Sequence, residues 1–298
     1  MFLKESKAFD GIRPITWSYL LQVFLVTWDP PGPLYCADPL HRMPLTPDLK
    51  FRNLVPELMD DPNLPAADHQ LALKGLRRIN RFSGTVSHLA SQILKLARRR
   101  PQPHWTILDI GCANGENLMQ LHKMLAQHIS VSCIGWDISP YSIQSAKELA
   151  DSLGLSTDQV RFELVDALAT PEPLTQASAN AGSVKPIADI VMNSLFMHHF
   201  DEPSVVRLLT QSSKLAKVAV LADDLHRTAV GWILAKLGCW ILSRSPVVHF
   251  DGPQSVRAAF SSAEIMELAK QAGLHDCQLV RHWPERYTLC WERPSIPS

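Results

Sequence analysis

The stretch TILDIGCANGENLMQL, residues 106–121, ends a short apolar run on an acid, Asp109, then places Gly111 and Gly115 four residues apart before a helix-like pattern. Glycines at those points let a chain turn tightly and let a ligand approach the backbone. A helix starting near Glu116 aims its free N–H groups into the same crevice. Asp137 ends the next apolar run, 22 residues past Gly115, where a carboxylate can accept hydrogen bonds from two ribose hydroxyls. The chemistry implied is recognition of a nucleoside. A dinucleotide is the poorer match, because Ala113 and Asn114 stand where the GxGxxG fingerprint differs. Asp109 in the approach to the turn opposes a pyrophosphate but attracts an ammonium group. These features point away from NAD and towards S-adenosylmethionine, whose amino-acid part is zwitterionic and whose sulfonium is cationic.

Proton-transfer candidates lie further along the chain. His198 and His199 follow a fourth apolar run, and His226 follows a fifth, VAVLADDLHR, which also supplies Asp223 and Asp224. A histidine titrates near neutrality and suits removal of a proton from a phenol or enol. Local structural roles are the competing reading for each. Arg244, His249 and Arg257 are further candidates for acceptor contact, with salt bridging as the alternative.

Strand-like runs at 106–110, 132–136, 160–165, 189–193 and 218–222 alternate with helical patterns near 116–127, 141–153 and 202–212. That rhythm is an open parallel sheet with helices on both faces. After Ser261 the pattern reads helix (263–272), strand (277–281), a turn at Trp283-Pro284, and strand (287–291), an antiparallel closing pair in which Trp283 and Tyr287 are expected to pack. The expected fold is therefore α/β: a Rossmann-like open sheet of about seven strands with an antiparallel C-terminal hairpin and an N-terminal helical arm. Residues 1–65 read as an irregular arm. Residues 66–104 read as a helical segment, with apolar positions at three- and four-residue steps and a break near Gly84. Residues 105–298 form the core, with a substrate cover near 225–262.

ILDIGCANG resembles the first motif of the class I S-adenosylmethionine-dependent methyltransferases. IGWDISPYSIQSAK (134–147), FELVDAL (162–168) and ADIVMNSLFMHHF (188–200) resemble the second, third and fourth motifs, in order and at fitting distances. The broader likeness is to small-molecule enzymes of the quinone-biosynthesis type. The resemblance implies that Asp109, Gly111, Ala113 and Gly115 surround the methionine part of S-adenosylmethionine. It places Asp137 on the ribose and Ile138 against the adenine. Asp166 and the Ala167 N–H would meet the adenine edge, and Asn193 and Leu195 would line the inner side. Ala113 departs from the glycine often found there, which is tolerable if its φ is negative. The segment 170–186, poor in large apolar residues, is expected to be a long surface loop at the entrance.

Lys plus Arg balance Asp plus Glu at 29 each, so no net charge recruits nucleic acid, and no basic–aromatic module is present. None of the six cysteines forms a CxxC pair, so no structural zinc is expected and no metal ligand set is read from spacing. The apolar stretch TWSYLLQVFLVTW (16–28) is, like AVGWILAKLGCWIL (229–242), shorter than the roughly 20 residues that cross a bilayer. The latter carries Lys236 as its only charge. It reads as a buried helix or dimer face, or else as a wall for a greasy or aromatic acceptor or a docking patch for transient contact with a lipid surface. The expectation is a cytoplasmic enzyme moving a methyl group to an oxygen or activated carbon of a small apolar or aromatic acceptor. Nitrogen or protein methylation, and a non-catalytic S-adenosylmethionine-binding role, stand as alternatives.

Overall fold

The computed structural model describes residues 47–61, 63–169 and 186–294. The apolar stretch 16–28 and most of the expected entrance loop lie outside the described residues. Two helices lead in, α1 (Ala66–Ser83) and α2 (Thr85–Arg99). They are separated at Gly84, whose φ of 67° is the left-handed conformation that an L side chain resists. The expected break is therefore a sharp change of direction.

The core then runs β1 (Trp105–Ile110), α3 (Glu116–Leu125), β2 (Val131–Asp137), α4 (Pro140–Ser152), β3 (Val160–Leu164), β4 (Ala188–Ser194), α5 (Glu202–Leu215) and β5 (Ala216–Leu225). It continues through α6 (Ala229–Leu242), α7 (Pro246–Ala258), α8 (Ser262–Gln271), β6 (Gln278–His282) and β7 (Arg286–Glu292). The sheet order is β3-β2-β1-β4-β5-β7-β6. The first five strands are parallel, and β7 pairs antiparallel with both β5 and β6. The chain reverses its order between β1 and β4, which opens a crevice at the carboxyl ends of those strands.

Successive residues of a strand face opposite sides, and both sides are apolar. Ile107, Cys133, Ile190 and Leu221 pack with α2, α3 and α4, whereas Leu108, Ile134, Val191 and Val220 pack with α5 and α8. Burial of each large apolar side chain contributes roughly 1.5–3 kcal/mol. Polar residues fix where the helices begin. Ser139 accepts from the Ser142 N–H at 3.2 Å, Asp201 accepts from Ser204 at 2.9 Å, and Ser261 with Glu264 forms a reciprocal capping box. Each such cap is worth about 1 kcal/mol.

A third, smaller apolar cluster joins α1, α6 and α7, built on Ala72, Cys239, Val247 and Val248. Sequence reading assigned no element to 243–260, yet α7 fills most of it and retains Pro253 inside the helix. Described residues of the expected arm attach to α7 directly. Asn53 N–H donates to the Arg257 carbonyl at 3.0 Å, and Asp251 accepts from the N–H groups of Leu58 and Met59 at 2.8 and 3.1 Å. Residues 47–61 are thus a strap pinned to α7. Trp283, expected to pack, is exposed, while Tyr287 is fully buried as expected. No described helix is long and apolar enough to cross a membrane.

Candidate active site

The acid–glycine turn after β1 sits on the crevice. Gly111 and Gly115 have φ of 75° and 71°. A Cβ at Gly111 would lie 2.5 Å from the Phe196 ring, and one at Gly115 would run into the Phe162 ring. Both glycines are therefore fixed by conformation and by space. Ala113 also takes a positive φ, 47°, against the expectation of a negative one. Its N–H donates to Asp137 Oδ2 at 2.9 Å, and the Ser139 N–H donates to Asp137 Oδ1 at 2.9 Å. That pair of bonds ties the β1 turn to the end of β2 and holds Ala113 in its strained conformation.

Asp109 is buried, and its Oδ1 has no hydrogen-bond partner among the described residues. Burial, and then the neighbouring Asp137 charge, push its carboxyl up to about 8. A buried acid with a bare oxygen beside a glycine turn fits a cationic group. Asn193, at the end of β4, is fully buried with neither amide atom partnered among the described residues, and the neighbouring Ser194 hydroxyl is likewise unpartnered. An orphaned buried polar group costs about 1–3 kcal/mol, so these atoms mark a place built for a polar ligand. Leu195 follows with φ 54°, and Ile138 is exposed past β2. Asp166 is exposed and closes its own turn, with Oδ1 accepting from Leu168 and Ala169 at 2.8 and 3.2 Å, while Ala167 is half-buried.

Phe196, packed on Gly111, stands edge-on to Phe200 at 4.8 Å, and the intervening 3-10 turn, Met197–His199, carries the histidine pair. His198 is buried. Its Nδ1 lies 2.7 Å from Asp224 Oδ1, its backbone N–H donates to Asp224 Oδ2 at 3.0 Å, and its Nε2 lies 3.7 Å from Glu57 Oε1. Burial alone would lower its pKa, but Asp224, followed by Glu57, outweighs burial and pushes it up to about 9. Asp224 and Glu57 are correspondingly held below the ordinary carboxylate range, against the effect of their own burial. His199 is exposed, and desolvation of its ring together with the adjacent His198 charge lowers its pKa. Both histidines line a cavity of about 380 Å³ with Leu54, Val55, Glu57 and Asp60 of the strap.

His226 stands apart from this pair. Its Nε2 lies 3.1 Å from Ser262 Oγ and its Nδ1 3.6 Å from Glu285, and burial, then Arg281, lowers its pKa. Asp223 accepts from His282 and Thr288 at 2.6 Å each. His249 meets the Ser243 carbonyl at 2.9 Å, and Arg257 donates to Gln254 at 3.0 Å, so both serve the cover's internal contacts. Glu57 and Asp224, the partners of His198, were not singled out as a pair. Glu57 sits 141 positions away from His198 in a segment without periodicity, so no local pattern could find it. Arg52 was also missed. It donates to the carbonyls of His198, Phe200 and Ala258 and to Glu202, and stacks 3.6 Å over the Phe260 ring.

A family model described as "Methyltransferase domain" matches residues 101–228. Among solved structures, a putative O-methyltransferase from Nostoc punctiforme superposes with a TM-score of 0.52 at 17% identity, over 83% of this chain and 67% of that one. The plantazolicin methyltransferase BamL, solved with a triazolic desmethylplantazolicin analogue and S-adenosylhomocysteine, superposes with a TM-score of 0.50 at 20% identity, over 70% of each chain. At these identities the likeness concerns the fold. Together with the acid–glycine turn and the domain match, that fold defines the class I S-adenosylmethionine-dependent methyltransferases. Residues 101–228 of the chain carry a methyltransferase domain on this fold.

Proposed function

We propose that the protein methylates an oxygen or an activated carbon of a small, largely apolar acceptor seated in the cavity between the strap and His198–His199. One observation carries this reading. Phe196 packs on the glycine turn expected to face the cofactor, while His198 and His199, two and three residues on, wall the cavity, so both sites lie at one edge of the sheet. Asp109 would meet the cofactor's ammonium, Asp137 the ribose, Asp166 and Ala167 the adenine edge, and Asn193 and Leu195 the inner side. S-adenosylmethionine supplies a methyl group on a cationic sulfonium.

The chain's own residues orient and desolvate. Leu54, Val55 and Ala258 give the cavity an apolar wall that suits an aromatic acceptor. Exclusion of water there favours a displacement in which opposite charges are lost. His198, held as a cation between two carboxylates, positions the wall. The acceptor's proton leaves to solvent past Asp60, which lines the cavity beside Glu57 and His199. BamL, by its description, was solved with a triazolic desmethyl analogue and S-adenosylhomocysteine, which is consistent with a flat acceptor.

Titration calorimetry with S-adenosylmethionine and S-adenosylhomocysteine, followed by mass-spectrometric screening of phenolic and quinol acceptors, tests the reading. Micromolar cofactor binding with methylation of phenols that is lost in Val55→Arg is the expected result. Turnover of peptide or amine acceptors alone would sink the acceptor assignment.

A further inference from the structure

The wall of this cavity gathers side chains of ligating type from segments 141 residues apart in the chain. Glu57 comes from the strap, and His198 and His199 come from the turn after β4. Each offers one ligand atom, and those atoms all lie within 4.8 Å of one another. His198 Nε2 and Glu57 Oε1 are 3.7 Å apart. Two donors at about 2.0–2.1 Å from one tetrahedral ion stand roughly 3.3 Å apart, so a small side-chain adjustment brings this pair onto a common ion.

The surroundings of His198 support the same reading. Its Nδ1 is held by fully buried Asp224 at 2.7 Å, and Asp224 also takes the His198 backbone N–H. The ring therefore cannot swing, and Nε2 is the nitrogen left to face the cavity. A carboxylate behind an imidazole in this way is the arrangement that orients metal-bound histidines and raises their basicity. Glu57 is itself fixed by a hydrogen bond from Ser255 Oγ. Asp60 adds a further carboxylate at the same wall. The other side of the group opens on the cavity, leaving coordination positions for water or an acceptor.

We propose that Glu57, His198 and His199 form a binding site for a divalent transition-metal ion of the zinc type, which takes the place of the His198 Nε2 proton and releases it to solvent, with its open positions facing the acceptor cavity. Two imidazoles and one carboxylate select such ions over magnesium or calcium, which take oxygen ligands. In the cavity's role as acceptor site, which rests on the function proposed above, the ion would bind a hydroxyl acceptor directly. The O–H bond breaks, the electron pair stays on oxygen, and the proton passes to Asp60 and solvent. No oxidant or reductant is required. A second cluster, His88, Asp223 and His282, has its two rings stacked at 3.8 Å and 9°. Their in-plane lone pairs run side by side, whereas the His198 and His199 rings, with centroids 4.2 Å apart, are tilted by 33°, so the stacked cluster carries no such proposal.

The test is a cobalt(II) titration of the full chain after removal of metals with a chelator, followed by visible absorption and by zinc competition. One equivalent with intense four- or five-coordinate bands, displaced by zinc, is expected. Glu57→Gln and His199→Ala should abolish those bands. Asp224→Asn, which keeps the ligands but weakens their orientation, should lower affinity about 10- to 100-fold. His88→Ala should leave the titration unchanged. Failure of well-folded protein to bind cobalt, or binding that survives both ligand substitutions, would overturn the site. Calorimetry with S-adenosylmethionine on the same samples separates the two proposals. Cofactor binding and phenol turnover without cobalt binding sink only the metal site, whereas cobalt binding without any acceptor turnover sinks only the acceptor reading.

Discussion

Replacing Asp109 by Asn tests the cofactor site at its most strained group. The carboxyl is buried beside Asp137 with a bare Oδ1, and its pKa is raised from 3.8 to about 8. That displacement corresponds to on the order of 5 kcal/mol charged against the ionised form. Because the acid's folded-state value is raised, the folded chain holds a proton that the unfolded chain has lost between those two values. The free protein should therefore lose stability as pH rises from about 4 to about 8, with a slope approaching 1.4 kcal/mol per pH unit from this group alone. A cationic ligand reverses the preference, so S-adenosylmethionine binding near neutral pH should release a proton from Asp109. Calorimetry in two buffers of different ionisation enthalpy measures that release directly. In Asp109→Asn the buffer dependence should vanish and denaturant midpoints should flatten across the window. Cofactor affinity should fall roughly 10- to 100-fold, the worth of one charge-assisted hydrogen bond. Wild-type binding without proton release, together with unchanged affinity in the Asn variant, would refute the reasoning.

Other substitutions check neighbouring links. Asp137→Ala removes both the ribose acceptor and the clamp on Ala113 and Ser139, so calorimetry should show cofactor binding lost while circular dichroism stays native. Ala113→Gly relieves a positive φ and should raise stability by about 1 kcal/mol in urea unfolding, whereas Gly111→Ala meets the Phe196 ring and should cost at least as much. Arg227 is buried, donating to the Leu49, Lys50 and Ala259 carbonyls and to Glu264. Arg227→Leu strands those partners, so it should cost about 3–5 kcal/mol and expose residues 47–61 to limited proteolysis. His226→Gln should lower the melting temperature by a few degrees yet leave methyl-transfer kcat within a few-fold, since its ring contacts Ser262 and Glu285 rather than the cavity.

Local pattern carried the sheet. Runs such as ILDI and VMN are apolar on both strand faces because helices cover both, and each carries a polar residue, Asp109 or Asn193, at or next to its end. The observed strands therefore begin and end within a few residues of the sequence expectation. Gly111, Gly115 and Asp137 were legible for the same reason: turn chemistry and strand-end acids depend on a few consecutive residues. Pro253 misled no packing rule; the helix around it persists because α7 is held against α1, α6 and the strap, a stabilisation invisible to local propensity.

The sequence by itself determined the alternation of strand and helix, the tight acid–glycine turn and the nucleoside chemistry, because each rests on short-range sterics and periodicity. Tertiary structure alone decided the sign of φ at Ala113, the burial of Asp109 and the state of the histidines. In sequence His198 reads either as a candidate base or as a local structural residue; Asp224 and Glu57, 26 and 141 residues away, decide the matter by enclosing it and favouring its protonated form. A side chain's charge depends on the field of everything packed around it, and that field exists only once distant segments meet.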